Sequence, residues 1–426
     1  MASEYDTLIV GGGLAGLRCA KQLAAEGLNF LLLEASDQVG GRVRTDSVDG
    51  FLLDRGFQVF LTAYPECQDE LDYDRLELRS FRPGALVRCD GKFHRLADPW
   101  RQPHHALATA LSPAATLADK MRIARFRTDV RRGSLADLAR RPSQSTLKAL
   151  RQRGFSQKAL RRFFLPFFGG IFLESALDTS SRVADFVFRM FAQGDASLPE
   201  RGMQQIPEQL AEALPSGAIR NGCRVSGIET SPDTKIVRLE SGETLSARSM
   251  VVATQEPVAQ KLIGSLAPMK PPRGTCRVTN LYFAADSSPV DEPTLVLNGE
   301  GPEAGPINNL AVPSLVSRAY APAGQSLVSV SVLDNTADEA VVLQGVLGQL
   351  REWFGSQVGS WRHLKTYSIQ YALPSQLPSE LDPVAQPAKI GDGFYLAGDH
   401  CDTASINGAF ASGRRAAEAV LADLRG

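Results

Sequence analysis

The chain has almost no surplus of charge: 46 Lys and Arg face 47 Asp and Glu, a formal net charge of −1. That balance gives no reason to expect a nucleic-acid partner. Histidine is scarce, at five. His104 and His105 are adjacent, so they diverge on a helix or a strand, and His94 and His363 stand alone. No metal site is expected from them. The six cysteines, Cys19, Cys67, Cys89, Cys223, Cys276 and Cys401, contain no Cys-x-x-Cys pair. Zinc ribbons and thioredoxin-like motifs are thereby excluded, and scattered thiols in a long chain read as reduced and intracellular. No apolar run is long enough to span a bilayer, and Met1 to Thr7 is polar and acidic, unlike a secretory leader. A cytoplasmic protein is expected, with peripheral membrane contact left open. Ser412 fails the Gly-x-Ser-x-Gly pattern of a nucleophile elbow.

What is present begins at Leu8-Ile9-Val10, an apolar strand running into Gly11-Gly12-Gly13-Leu14-Ala15-Gly16. Leu17, Ala20 and Ala24 then recur at helical spacing, Gly27 is a stop, and Leu28 to Leu33 reads as a second buried strand ending in Glu34. This is the layout of a dinucleotide-binding β-α-β unit. Gly11 permits the tight turn, Gly13 lets a pyrophosphate approach the backbone, and Gly16 lets helix and strand pack closely. The helix N-terminus faces the phosphates with its positive dipole end. Glu34 can accept hydrogen bonds from ribose hydroxyls and would repel a 2′-phosphate, so the site does not suit NADP.

Glu34-Ala35 is followed by Gly40-Gly41-Arg42. That run resembles the second signature of the FAD-dependent amine oxidase superfamily, which also holds protoporphyrinogen oxidases and phytoene desaturases. A third match lies near the C-terminus, in Gly393 to Asp399 and Ser405-Ile406-Asn407-Gly408-Ala409. The resemblance implies non-covalent FAD held from both ends of the chain. Gly398-Asp399 would meet the ribityl chain or pyrophosphate. The helix opened by Ser405, Ile406, Asn407 and Ala409 would face the flavin ring, where reduced flavin gathers negative charge. Val225 resembles the position that holds adenine, and Ala253 lies on the strand returning to the cofactor domain. Gly56, Phe57 and Gln58 resemble the segment passing near the isoalloxazine. Tyr371 resembles a residue on a strand facing substrate and flavin. Tyr371 and Gln58 are the candidate catalytic contacts, and Asn308 and Asn309 are candidates on a loop facing the cavity. Cys401 reads as a plain thiol and His400 as structural.

The implied fold is α/β: a discontinuous Rossmann-like FAD-binding domain (1–77, 200–270 and 388–426), a mainly helical insertion (78–199) and a sheet-containing substrate domain (271–387). Helices are expected at Ala114 to Val130, Leu135 to Arg140, Ser145 to Arg162 and Ala337 to Phe354. Strands are expected at Arg277 to Phe283 and Ser326 to Val332. A basic stretch (Lys148, Arg151, Arg153, Lys158, Arg161, Arg162) runs into an aromatic one, Phe163 to Leu173. It reads as a solvated face leading into a packed turn around Pro166, with some phenylalanines lining a substrate cavity.

Thr275 to Val332 contains no lysine. Many amine oxidases of the superfamily carry a lysine that holds water near the flavin, and its absence here points away from amine oxidation. The expected activity is dehydrogenation of a hydrophobic or cyclic small molecule by hydride transfer to flavin N5, with O2 or a quinone as electron acceptor. The alternatives are an amine or amino-acid oxidase lacking that lysine, and a non-catalytic flavin-binding scaffold or lipid carrier.

Overall fold

The computed structural model describes residues 4–98, 101–231 and 234–425. Met1 to Ser3 and the His104 side chain, both used above, lie outside the described set.

Leu8, Ile9 and Val10 carry no polar group on either face of their strand, so the strand is stable only where both faces are covered. Tyr5–Val10 pairs in parallel with Phe30–Leu33 on one side and with Thr244–Val252 on the other. Phe394–Leu396 adds in parallel to Thr244–Val252. The antiparallel strands Thr234–Leu239 and Val225–Ser231 complete the far side of an eight-stranded sheet, and Ile219–Arg220 edges the near side. The start, middle and end of the chain thus share one sheet. The helix Leu14–Ala25 stops before Gly27, whose φ of 72° needs no Cβ. The second strand begins at Phe30, two residues later than its apolar run suggests. The C-terminal helix Ile406–Arg425 packs on Leu14–Ala25 where Gly413 lets the backbones meet: a Cβ there would lie 2.3 Å from the Ala15 carbonyl oxygen.

A second, seven-stranded sheet runs Arg362–Pro374, Thr275–Ala285, Ser326–Leu333, Ile307–Ala311, Leu295–Asn298, Gly84–Cys89, Lys92–Ala97. Its last two strands come from within 78–199. They form a hairpin closed by Asp90-Gly91, both at positive φ, 53° and 72°. Helices occupy Leu117–Val130, Leu135–Ala139 and Glu339–Phe354, close to expectation.

Two local expectations are corrected. The helix expected over Ser145 to Arg162 is broken after Thr146–Gln152, because Ser156 opens a new one by accepting the Ala159 N–H. The aromatic stretch is no turn: a π-helical turn over Leu160–Phe164 runs directly into the α-helix Leu165–Phe172, and Pro166, which has no N–H to give the preceding turn, sits just past their junction. Phe164, Phe168 and Phe172 are buried there against the helix Ser181–Gln193, in a core that also holds the stacked Phe126 and Phe188 rings, 4.4 Å apart.

Candidate functional site

The glycine turn leaves the strand Tyr5–Val10 and delivers the chain to the helix N-terminus at Leu14. Gly11 is at φ 113°, and a Cβ there would come 2.7 Å from the Ala253 carbonyl oxygen. A Cβ on Gly16 would lie 2.0 Å from the Gly11 oxygen, so these two positions are closed to larger residues by the protein itself. Gly13 differs: no atom lies within 4 Å of a Cβ built on it, and it faces the cavity. The Gly12 N–H donates to Glu34 at 2.7 Å, and the Ser36 N–H and hydroxyl donate to the other Glu34 oxygen at 2.8 and 2.6 Å. The buried carboxylate is thereby aimed, and keeps lone pairs free on the cavity side, since each oxygen can accept more than one bond. Gly40 pairs with Gly13, its N–H donating to Gly12 at 2.8 Å, which lays Gly40-Gly41 against the first loop. The Cys223 N–H donates to the Glu34 carbonyl at 2.8 Å and brings Cys223, Arg224 and Val225 to the same rim.

Arg42 links the loops to the C-terminal segment. It donates to Asp399 at 2.6 Å and to the Ala372 carbonyl at 2.7 Å. Burial works to raise the Asp399 carboxyl, but the Arg42 charge and hydrogen bond outweigh it and hold the group below the usual carboxylate range. Asp399 therefore stays ionised. Beside it, burial pushes His400 down to about 4, and neither ring nitrogen has a hydrogen-bond partner among the described residues. His400 is a neutral, buried ring. Cys401 is buried too, its thiol pushed up to about 12 by desolvation, so it holds its proton.

One cavity of about 860 Å³ connects these elements. Gly11, Gly13, Leu14, Ala15, Glu34, Ala35, Gly40, Gly41, Arg42, Val225 and Ala253 line it, as do Gly56, Phe57, Gln58, Gly398, Asp399, Ser405, Ile406 and Ala409. The same cavity is lined by Phe163, Phe167, Ile171, Phe186 and Phe191, and by Val278, Asn309 and Ser331 of the second sheet.

Several sequence candidates sit differently from expectation. Tyr371 is not among the lining residues. The strand Arg362–Pro374 carries two extra residues between its pairings with Val278 and Cys276, which breaks the alternation of faces. Ile369, Ala372 and Leu373 reach the cavity instead, while the Tyr371 ring lies under the Arg42 guanidinium, 5.5 Å from its centroid. Its phenol is driven far above its ordinary value by burial and by Asp399. Asn407 turns away as well, accepting the Glu66 N–H at 3.1 Å. Asn308 and Asn309 lie on the strand Ile307–Ala311 and not on a loop; Asn308 donates to the Pro166 carbonyl and to Asn309, and only Asn309 of the pair lines the cavity. Gln58 spends its amide N–H groups on the Arg42 and Arg55 carbonyls, and the atom pressed on Gly56 is Ile369 Cδ1, 2.9 Å from a Cβ built there. Gly16 does not line the cavity; its closeness is to the protein backbone. Lys120, Ile123 and Arg127 line the cavity as well, and the sequence holds a signal for them, since their i, i+3, i+7 spacing on Leu117–Val130 marks one face. Lys120 is the one lysine lining the cavity among the described residues. No group of His, Cys, Asp and Glu that could hold a metal is found among the described residues.

The residues present fit a flavin dinucleotide: an open Gly13 cradle at a helix N-terminus, a carboxylate aimed beside it and an apolar rim, all on one cavity. The chain matches the model of the family described as flavin containing amine oxidoreductase over residues 14–421. Coproporphyrinogen III oxidase of Mycobacterium tuberculosis (strain ATCC 25618 / H37Rv) is 24% identical over 288 residues, a match spanning 61% of this chain and 61% of that enzyme. The 15-cis-phytoene desaturase of Capsicum annuum is 23% identical over 465 residues, 98% of this chain and 78% of that protein. A solved structure of a proposed protoporphyrinogen oxidase from Exiguobacterium sp. 255-15 superposes with a TM-score of 0.76 at 18% identity, covering 99% of this chain and 100% of that one. That likeness is one of fold.

Proposed function

The chain belongs to the flavin containing amine oxidoreductase family, and from that premise we propose that it dehydrogenates an apolar or cyclic small molecule with non-covalently bound FAD, reoxidised by O2 or a quinone. A flavin, when bound, supplies the two-electron acceptor, taking a hydride from a C–H bond at N5. The chain's own residues bind, orient and exclude water. Gly11, Gly13, Leu14 and Ala15 would receive the pyrophosphate, Glu34 and Ala35 the adenosine ribose, and Val225 the adenine side. Arg42 and Asp399, a pair with no net charge, brace the segment that ends at the first turn of the C-terminal helix, whose N–H groups would face the ring end. Gln58 acts as a brace on the Arg42 loop rather than as an acid or base.

The observation that carries the reading is a cavity lined both by the nucleotide-loop residues and by a group of phenylalanines. Such walls suit a substrate with a large apolar surface. The second sheet presents Asn309 and Ser331 to the cavity, and its central strands bring no lysine to it, which favours dehydrogenation over the oxidation of amines. Cys401, protonated and outside the lining, supports a cofactor held without a covalent link. The test is anaerobic bleaching of the purified yellow protein with porphyrinogens, carotenes, primary amines and amino acids. Bleaching by a cyclic or polyene donor is expected. Bleaching by amines alone would replace this reading with the oxidase one, and a flavin that no donor reduces would make it a scaffold.

A further inference from the structure

Among the described residues seven large hydrophobic side chains are exposed, and four of them crowd into one short stretch: Leu107 (72% exposed), Leu111 (75%), Leu117 (65%) and Met121 (63%). Leu107 and Leu111 lie four residues apart on the helix Ala106–Leu111, and Leu117 and Met121 four apart at the start of Leu117–Val130. Each pair therefore forms a stripe on one helix face, and Arg125, also exposed, continues the second stripe. Stretch 101–132 holds seven Lys and Arg against two acids. Both acids are engaged within the protein. Asp119 accepts from Thr116 and Ser156, and Asp129 pairs with Arg141 and Arg153. Of the cations, Arg101 pairs with Asp195 and Arg122 with Asp119, and Lys120 and Arg127 face the cavity, which leaves Arg125, Arg131 and Arg132 exposed. The other faces of the same two helices, through Thr109, Lys120, Ile123 and Arg127, line the large cavity.

We propose that this face docks on the surface of an anionic lipid bilayer, with Leu107, Leu111, Leu117 and Met121 entering the headgroup region and the arginines meeting lipid phosphates. The combination of an apolar stripe with flanking cations is what an interfacial contact needs. A second copy of the chain fits the charge poorly, because a two-fold contact would set this cationic face against itself. The contact is peripheral: no described helix is long and apolar enough to cross a membrane. It is also distinct from the basic stretch singled out in the sequence, where Arg153, Arg161 and Arg162 pair with Asp185, Glu303 and Asp90 and the adjoining phenylalanines are packed inward. Docking here would place a wall of the cavity at the lipid surface. The proposal stands whether or not the chemistry above is right, because its readout is binding.

The experiment is flotation of the full chain with vesicles of phosphatidylcholine mixed with phosphatidylglycerol, and with vesicles of phosphatidylcholine alone. The protein is expected to float with the mixed vesicles and to be released by high salt. Leu107→Ser/Leu111→Ser/Leu117→Ser/Met121→Ser should lower the bound fraction by about tenfold or more. Arg125→Glu/Arg131→Glu/Arg132→Glu should abolish the preference for the anionic lipid. These positions are exposed, and unchanged circular dichroism and melting verify that the fold survives. If the quadruple variant misfolds, the pair Leu107→Ser/Leu111→Ser carries the same expectation. No binding to mixed vesicles, or equal binding by the folded serine variant, overturns the proposal. A dimer that the serine variant disperses, with no vesicle binding, assigns the face to a second copy instead.

Discussion

Single residues give the sharpest tests because each does one separable thing. Gly13 faces open space, so Gly13→Val should leave the melting temperature within the range of a neutral surface change, about 0.5 kcal/mol, and yet yield protein without flavin. Full flavin absorbance in that variant would reject the pyrophosphate assignment. Glu34→Ala acts twice: it should weaken flavin retention and also cost about 1–3 kcal/mol of stability, because the Gly12 N–H loses its buried acceptor. Asp54 carries a pH dependence. Its carboxyl is buried and pushed from 3.8 up to about 6 by desolvation, against hydrogen bonds from Thr45, Met203 and Tyr320. The folded state therefore binds this proton more tightly than the unfolded chain, and the contribution of Asp54 to stability falls by roughly 3 kcal/mol as pH rises from about 4 to about 6. His400, pushed down to about 4 by burial, changes stability in the opposite sense over the same window, so the readout is a difference. In urea unfolding, the stability of the wild type minus that of Asp54→Asn should fall across this range. A difference that rises or stays level would remove Asp54 from the account.

At the scale of elements, the position most exposed to a steric test is the crossing of the two helices. Gly413→Val places a branched side chain where the Ala15 carbonyl already sits, so the helices must part, at a cost of about 1–3 kcal/mol or more. Flavin content should fall with it, because the displaced elements are the ones that open at Leu14 and Ile406. A variant with wild-type melting and colour would show that the two helices are not held in contact there. Elements also show what local pattern can and cannot carry. The strand-turn-helix at Leu8 to Gly16 was readable because apolar run, glycine spacing and helical period all agree. The hairpin at Gly84 to Ala97 is marked locally as well, by Asp90-Gly91 between two alternating runs. The placement of Tyr371 had none, since a bulge reflects the pairing of one strand with another and leaves no mark on its own residues. Asn407 likewise lies in a recognisable motif, but its acceptor role toward Glu66 depends on a helix more than three hundred residues away in sequence.

At the scale of the whole molecule, the cavity draws on both chain ends and the middle, so ligand and fold are coupled. FAD added to stripped protein should raise the melting temperature, with a stabilisation of about 2.7 kcal/mol once the free ligand reaches a hundred times its dissociation constant. ADP, which lacks the flavin end, should raise it less. Equal shifts from the two ligands would mean that the flavin end contributes nothing to binding, and no shift from either would contradict the shared cavity.

The amino-acid sequence by itself determined the dinucleotide loop, the carboxylate that follows it, the flavin-type signatures at both ends and the absence of lysine from the central sheet strands. These are short-range patterns, in which residue type and spacing already specify backbone conformation and chemistry. Only the tertiary structure decided that Gly40 lies on Gly13, that Arg42 finds Asp399, that Ile369 rather than Tyr371 faces the cavity, and that two helices lining the cavity leave four large apolar side chains exposed. Those facts depend on strand register and on the docking of distant helices, which arise from burial summed over the whole chain and are written in no local stretch of it.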